Sequence, residues 1–381
     1  MNRVLRLGIA LLGCVCVFVT PSIGMAQEIK IESPSAILMD AVSGEILYQK
    51  DPHSKRPPAS ITKIMTLVLA MEAVNSKRVS LDDEVAASEN AWDLGGSEVY
   101  TEPGETFKFS DWLKALVIGS ANDAAVVVAE HVGGTEEHFV EMMNEKARAL
   151  GMTDTHFTNC HGLDHENHYT SAYDVALLSR YAVTIPGVLD LTKIYHDTFR
   201  NGKFELYNPN KLLVYYSGCD GLKTGSTSKA GFCLAATAKR GDSRAIAVVM
   251  GAPSSQARFN DATKLLNYAF ANFAAVVYAK QGTSLLSLPV NKGAKPSVEI
   301  APATDVAISV KKGIEKSVTV KYELPKLVNA PVKRGQKVGE AVIYVGEQVA
   351  KRIDLLALEE VKANTIPGFF AKALRRLLTW Q

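Results

Sequence analysis

The chain has few cysteines for its 381 residues, five in all. Two of them, Cys14 and Cys16, lie in a segment that we predict is removed. The remaining Cys160, Cys219 and Cys233 cannot all pair within one chain, so a disulfide framework does not organise the fold. At least one of them is expected to be a small buried apolar side chain. Whether two of them form a disulfide stays open at this point.

The sequence also lacks an excess of charge and a hydrophobic run long enough to span a bilayer. It has 42 lysines and arginines and 40 aspartates and glutamates, a formal charge of +2. Arg3 and Arg6 precede an apolar run at 7–19 and small residues ending at Ala26, the pattern of a secretory signal. Removal of residues 1–26 takes away both arginines and gives +2 − 2 = 0. The protein is therefore expected to be exported and to have no nucleic-acid partner.

Three short motifs stand in order along the chain: Ser60-Ile-Thr-Lys63, Ser120-Ala-Asn122 and Lys223-Thr-Gly225. Ser-x-x-Lys and Ser-x-Asn each recur elsewhere, whereas Lys-Thr-Gly is unique. The set, rather than any single motif, outlines a serine acyl-transfer site whose base is a lysine.

The secondary-structure pattern predicts an α+β domain over residues 27–275. The predicted elements are strands at 35–40 and 45–48, helices at 60–74, 112–118, 123–131 and 139–150, a strand over 221–239, a hairpin turn at 240–243, a strand at 245–250 and a helix at 258–273. Strands at both ends with helices between them are typical of this class.

Composition changes beyond this domain. Residues 284–358 are rich in valine, lysine and proline with alternating patterns, which predicts a small all-β domain. In the tail, 361–381, apolar residues recur at helical spacing opposite a basic face that includes Lys372, Arg375 and Arg376. This pattern favours an amphipathic helix lying in a membrane surface. The alternative is a terminal helix packed on the β domain.

Ser60 and Lys63 are three residues apart, so on a helix both side chains emerge from one face. A serine hydroxyl attacks only when a base takes its proton, and a lysine can be that base when burial and a second cation lower its pKa. Lys223 could be that cation. Apolar neighbours such as Met65 and Val68 favour a buried Lys63. The alternative is a helix cap at Ser60 with a solvated Lys63.

The other two motifs carry similar alternatives. Ser120 could relay a proton from Lys63 to a leaving amine, and Asn122 could bind Lys63 and a substrate amide. Otherwise both form a structural turn between two helices. Gly225 could leave room for a substrate backbone. Otherwise the strand has a bulge there and Lys223 is a surface residue.

The motifs in this order, in an exported chain, resemble the penicillin-binding and serine β-lactamase superfamily. The sequence is most similar to low-molecular-weight D-alanyl-D-alanine carboxypeptidases of the DacA/DacF type. The shared motifs are Pro58-Ala-Ser-Ile-Thr-Lys-Ile-Met-Thr66, Ala172-Tyr-Asp174, Gly221-Leu-Lys-Thr-Gly225 and Ala230-Gly-Phe-Cys233. The resemblance extends to the β domain and the tail. It implies a β-lactamase/transpeptidase-like catalytic domain, an antiparallel sheet flanked by helices.

The resemblance also implies residue roles and partners. Ser60 would attack the carbonyl between the two terminal D-alanines of a peptidoglycan stem pentapeptide, with Lys63 as base and the backbone N–H groups of Ser60 and Ser226 as oxyanion hole. The further implied catalytic residues are Ser120, Asn122 and Lys223, and the implied substrate-binding residues are Thr224, Gly225, Ser226 and Arg258. Neither cofactor nor metal is implied. β-Lactams would acylate Ser60, and the tail would hold the protein at the outer face of the cytoplasmic membrane.

Three other functions compete with this interpretation. A class A β-lactamase needs a Glu-x-x-x-Asn loop, but Glu166 is followed at the fourth position by Thr170. A zinc peptidase could use the cluster Cys160, His161, His165 and His168, although no His-Glu-x-x-His helix is present in the sequence. A penicillin-binding sensor would be acylated without turnover, and motifs do not distinguish it from an enzyme.

Overall fold

Strands from both ends of the predicted α+β region come together in one sheet. The computed structural model describes residues 29–364, so the predicted signal at 1–26 and the tail from 366 onward lie outside the described residues. The helices and strands up to residue 272 are β1 Ser35–Asp40, β2 Ile46–Lys50, α1 Lys63–Asn75, β3 Glu84–Ala86, β4 Thr106–Lys108, α2 Phe109–Val117, α3 Asn122–Gly133, α4 Glu136–Ala149, α5 Ala172–Ala182, α6 Val188–Thr192, β5 His196–Phe199, β6 Phe204–Tyr207, α7 Leu212–Tyr215, β7 Cys219–Thr227, β8 Gly231–Arg240, β9 Ser243–Ala252 and α8 Ser255–Asn272.

The main sheet has five antiparallel strands in the order β2-β1-β9-β8-β7. Its buried side chains alternate between the two faces, as the pleat of a strand requires. On one face, Ile246, Val248 and Met250 join the core formed with the helices α1 to α5. The other face of β8 and β9 packs against α8. The α+β class with an antiparallel sheet flanked by helices is therefore confirmed.

Helix α1 is buried on every side. Ten of its thirteen residues are buried, from Lys63 and Ile64 to Ala73. Helices that are apolar all round belong in the middle of a core, and α1 contacts α2, α3, α4 and α5. The first residue of this central helix is Lys63, so the fold carries that amine into the interior.

An all-β region follows α8, as the change in composition predicts. Its strands are β10 Phe273–Ala279, β11 Leu286–Asn291, β12 Ser297–Pro302, β13 Val306–Lys311, β14 Val318–Glu323, β15 Val328–Asn329, β16 Lys337–Val345 and β17 Gln348–Ala357. Six of them form the sheet β14-β16-β17-β12-β11-β15, and β10 pairs with β13. The expected end of the catalytic domain at 275 falls inside β10. The reason is that the apolar residues 273–277 pair with β13 and do not extend α8.

The all-β region contacts the first hairpin directly. The main-chain N–H of Ser309 donates to Glu45 Oε2 at 2.9 Å, and Lys351 Nζ donates to the carbonyl of Ser43 at 2.8 Å. Residues 361–364, the start of the predicted helical tail, are extended instead, because Val361 bridges to Val332 and Ala363 to Gly293. Among the described helices, none combines the length and the apolar character that crossing a membrane requires.

Two predicted elements differ from the structure in ways that matter for the site. The predicted helix at 60–74 begins as a 3-10 helix, Ala59–Thr62, and becomes α-helical only at Lys63. The predicted strand over 221–239 is two strands, β7 and β8, joined by a turn at 228–230 in which Ala230 N–H donates to Thr227 Oγ1 at 3.0 Å. Residues 228–230 include no glycine or proline, so the local sequence indicates this turn only weakly.

Candidate active site

Ser60 lies on a tight 3-10 turn between Pro58 and α1. Ala59 has φ +51°, a left-handed conformation that costs a residue with a side chain about 1 kcal/mol. A Cβ on Gly162 would lie only 2.0 Å from Ala59 O, so this glycine permits another segment to pack closely on the turn. The turn leaves Ser60 half-buried, while Ile61, Thr62 and Lys63 are buried.

The Lys63 amine is surrounded by three oxygen atoms. Its Nζ lies 3.2 Å from Ser60 Oγ, 2.6 Å from Asn122 Oδ1 and 2.7 Å from the carbonyl oxygen of His161. The orientation of the Asn122 amide is fixed because its Nδ2 donates to Gly95 O at 2.7 Å, which leaves Oδ1 for Lys63.

This arrangement suits a neutral lysine. The Asn122 and His161 oxygens can only accept hydrogen bonds. A neutral amine has two protons, and donating both to these acceptors leaves its lone pair for the Ser60 hydroxyl. The contacts therefore hold Lys63 in the orientation a base needs.

Burial lowers the pKa of Lys63 from 10.5 to about 7, although the nearby Asp123 carboxylate acts in the opposite direction. A difference of this size makes the ammonium form about 5 kcal/mol less favourable than in a solvated lysine. Burial, together with the positive charges of Lys63 and Arg258, holds the pKa of Lys223 well below its usual range. Burial and a second cation were both expected to lower the pKa of Lys63; in the structure, desolvation is the cause that lowers it.

Ser120 and Lys223 form the second contact of the site. Lys223 Nζ donates to Ser120 Oγ at 2.8 Å and to Thr224 O at 3.1 Å. Both side chains are buried, and Ser120 has φ +58°, a second left-handed residue in the site. Among the described contacts, Ser120 has a hydrogen bond to Lys223 and none to Lys63. The alternative of a surface Lys223 is therefore wrong.

Strand β7 runs beside the Ser60 turn, and Gly225 is the point of closest approach. A Cβ on Gly225 would lie 2.9 Å from Ser60 N and 3.0 Å from Pro58 O. The absence of a side chain at Gly225 is thus what allows the Ser60 turn to pack against β7. Thr224 is buried and Ser226 is exposed.

Arg258 reaches β7 from α8. Its Nη1 donates to Gly225 O at 3.2 Å, and its guanidinium lies 4.8 Å from the centre of the Phe259 ring. Its buried Nε has no hydrogen-bond partner, and burial lowers the pKa of Arg258 to about 10. The structure thus brings Ser60, Lys63, Ser120, Asn122 and Lys223 together, with Thr224, Gly225, Ser226 and Arg258 on or against the adjoining strand.

Two residues that support this site, Asp123 and His161, were not predicted as site residues from the sequence. Asp123, buried beside Asn122, accepts hydrogen bonds from Val99 N–H and from the Thr101 hydroxyl at 2.7 Å, which fixes the loop before β4 to the start of α3. His161 contributes only its carbonyl oxygen. The sequence contains a signal at this position, Cys160-His161-Gly162, but these residue types suggest a zinc site and not a carbonyl that accepts a hydrogen bond.

The residues considered for zinc have separate partners. His168 contacts Thr62 and Thr158, and burial lowers the pKa of both His161 and His168 to about 3. These two histidines are buried. The alternative to a zinc site had placed them at the surface. Within residues 29–364, no three His, Cys, Asp or Glu side chains converge as metal ligands would. Cys160, Cys219 and Cys233 are free thiols.

The sequence matches two family models. The peptidase S11 model, described as D-alanyl-D-alanine carboxypeptidase, matches residues 23–254. The model of the penicillin-binding protein 5 C-terminal domain matches residues 273–363.

Curated relatives and solved structures agree with these matches. The chain is 36% identical to D-alanyl-D-alanine carboxypeptidase DacF of Bacillus subtilis over 93% of this chain and 91% of that protein. It is 33% identical to DacC of Escherichia coli over 94% and 92%. Penicillin-binding protein 5 of Haemophilus influenzae superposes with a TM-score of 0.76 at 32% identity, covering 88% of this chain and 99% of the other. Penicillin-binding protein D2 of Listeria monocytogenes, solved with ampicillin bound, superposes with a TM-score of 0.59 at 33% identity over 64% and 99%.

Proposed function

Because the chain belongs to the peptidase S11 family of D-alanyl-D-alanine carboxypeptidases, we propose that Ser60 is its nucleophile and Lys63 its general base. The protein is a serine-type D-alanyl-D-alanine carboxypeptidase. The single observation that carries the residue assignment is the position of Lys63 Nζ, between Ser60 Oγ and the two acceptors on Asn122 and His161.

Acylation follows from this geometry. Ser60 Oγ attacks the carbonyl carbon of the penultimate D-alanine while its proton passes to the lone pair of Lys63. The oxyanion would form against the backbone N–H groups of Ser60 and Ser226, an assignment supported by the close packing of Gly225 on the Ser60 turn. The peptide C–N bond then breaks, and the leaving amine takes a proton from Ser120 Oγ. Ser120 regains its proton from Lys223, to which it is hydrogen-bonded, and Lys223 is reprotonated by the proton that Lys63 took from Ser60, so both lysines return to their starting charge.

Hydrolysis of the acyl-enzyme is the same chemistry in reverse order. Water attacks the ester carbonyl and gives a proton to Lys63. Lys63 then returns this proton to Ser60 Oγ as the ester bond breaks. We assign Asn122 a second role, a hydrogen bond to the substrate amide. Thr224 and Lys223 would bind the terminal carboxylate, with the guanidinium of Arg258 as a further partner. Gly225 contributes by its packing against the Ser60 turn.

The proposed substrate is the peptidoglycan stem pentapeptide, from which the enzyme removes the last D-alanine and so limits cross-linking. Peptidoglycan lies outside the cytoplasm, and we propose export through the signal at 1–26 and anchoring through the basic amphipathic sequence at 366–381. β-Lactams would acylate Ser60 because their strained amide resembles the dipeptide. The Listeria relative solved with ampicillin supports that proposal.

The test measures two activities on one preparation. Released D-alanine is followed with diacetyl-Lys-D-Ala-D-Ala, and covalent labelling is followed with a fluorescent penicillin. The wild type should show both activities, and Ser60→Ala neither. Penicillin G should block the release and EDTA should leave it unchanged. Labelling that persists in Ser60→Ala would refute the nucleophile assignment. Labelling of the wild type without D-alanine release would favour a non-turnover sensor.

A further inference from the structure

His168 has no role in the mechanism above, yet its ring contacts the turn that carries Ser60. We propose that His168 is a positioning residue that fixes this turn through Thr62, which directly precedes Lys63 and is two residues after Ser60. The inference rests on the proposed function of Ser60 and Lys63. His168 Nε2 lies 2.8 Å from Thr62 Oγ1, and both side chains are buried.

The partners of His168 decide where its proton lies. The main-chain N–H of Thr158 points at Nδ1 from 3.0 Å, and a backbone N–H can only donate. Nδ1 therefore carries the lone pair, and the single proton of the neutral ring is on Nε2, facing Thr62. Burial and the charges of His156 and His165 lower the pKa of His168 to about 3, so the ring stays neutral near pH 7. His168 is thus a permanent donor to Thr62 Oγ1.

This bond is one of three side-chain links between residues 160–168 and the start of α1. Lys63 donates to the carbonyl of His161, and Thr66 Oγ1 donates to the carbonyl of Cys160 at 2.6 Å. Of the three links, His168–Thr62 is the one that reaches the 3-10 turn itself. The left-handed Ala59 makes this turn a strained conformation that its surroundings must hold.

Loss of the bond should move Ser60 relative to Lys63. A displacement of about 1 Å at a reacting group can cost about 100-fold in rate. We expect His168→Phe, which keeps the ring volume but has no donor or acceptor, to lower the second-order rate of Ser60 acylation at least tenfold. His168→Gln can still donate to Thr62 and accept from Thr158, so most of the rate should return.

Thr62 offers the same test from the other end of the bond. Thr62→Val removes the acceptor and keeps the shape, whereas Thr62→Ser keeps the hydroxyl. If the two side chains act through one bond, His168→Phe and Thr62→Val combined should cost little more than either alone. Ser33→Ala is the matched control, because it removes a buried hydrogen bond of 2.7 Å to Asp261, outside the site described here.

The experiment measures the rate of fluorescent-penicillin labelling and the melting temperature of each full-length variant. Slow acylation in His168→Phe and Thr62→Val, recovery in Gln and Ser, and normal acylation in Ser33→Ala would support the inference. Equal rates in Thr62→Val and Thr62→Ser would overturn it, even if His168→Phe fails to fold. A wild type that is not labelled at Ser60 would overturn the proposed function and this inference together. Labelled wild type with unaffected variants would overturn the inference alone.

Discussion

Lys223 Nζ lies 2.8 Å from Ser120 Oγ in a buried environment, and both residues come from motifs that are more than a hundred positions apart in the chain. Two lysines, Lys63 and Lys223, are thus buried in one site, each with a serine hydroxyl within hydrogen-bond distance. Burial disfavours the ammonium form of both lysines, and the positive charge of Lys63 further lowers the pKa of Lys223.

Ser120→Ala should lower kcat/KM for D-alanine release about 100-fold or more, because the leaving amine loses its proton donor. The measurement is the release rate from the diacetyl tripeptide. Ser88→Ala is the matched control, since Ser88 begins the chain's other Ser-x-Asn sequence and accepts only a helix-capping bond from Ala91 N–H at 3.3 Å. Equal losses in both variants would contradict the relay role.

The rate of penicillin acylation should rise with pH along a limb centred near the Lys63 pKa of about 7. The sign follows from burial, which disfavours the ammonium, so the neutral base becomes abundant as pH increases through that value. Labelling rates from pH 5 to pH 9 give the profile. A rate that falls over this range would exclude neutral Lys63 as base.

Asn122→Asp should move that rising limb to higher pH by about one to three pH units, because a carboxylate beside Lys63 favours the ammonium form. The same labelling series at different pH values provides the test. The control is Asn90→Asp, in the other Ser-x-Asn sequence, where the side chain is exposed and contacts Glu130. An unchanged limb in Asn122→Asp would argue against direct contact between these side chains in solution.

Gly162→Ala should reduce both stability and acylation more than Gly104→Ala does. Both glycines have left-handed backbones, φ +92° and +86°, so alanine costs about 1–2 kcal/mol at either position. Only at Gly162 would the new Cβ also collide with Ala59 O beside the nucleophile, whereas Gly104 has open space. Urea unfolding and penicillin labelling measure the two effects. Equal effects would show that the packing on the Ser60 turn is unimportant.

Deletion of residues 366–381 should release the protein from membranes and leave hydrolysis of the soluble tripeptide unchanged. The physical reason is that the basic and apolar faces of this sequence would supply the affinity for a lipid surface. Sedimentation with anionic vesicles, with neutral vesicles as control, measures the binding. Undiminished vesicle binding by the truncated protein would contradict the proposed anchor.

Sequence patterns predicted the elements whose side chains follow a regular period or that end at a recognisable turn residue. The apolar run of α1, the glycine turn after β1 and the alternating strands of the C-terminal domain each have a period or a turn residue that can be recognised. The turn at 228–230 and the 3-10 helix at Ser60 do not. The 3-10 helix is packed against by Gly162, a tertiary contact with Ala59 that no local pattern encodes.

The residues of the candidate site also differ in whether the sequence alone predicts them. Lys63 could be found because lysine is rare in apolar surroundings, and Lys223 because it belongs to the unique Lys-Thr-Gly motif. The acceptors that orient Lys63 include the carbonyl of His161, and the Asn122 amide is held by the carbonyl of Gly95. Every residue has a carbonyl, so these partners have no signature in the sequence.

Among the strands of residues 29–364, β7 lies at the edge of the main sheet and pairs with β8 alone. Such a strand has N–H and C=O groups directed away from the sheet, and an extended peptide can add to it as a further strand. We expect the stem peptide to bind in this way beside Ser60. Main-chain hydrogen bonds between strands depend on the length and carbonyl spacing of a peptide and not on the identity of most of its side chains. The enzyme should therefore discriminate strongly at the terminal D-alanines and tolerate different diamino acids at the third position of the stem.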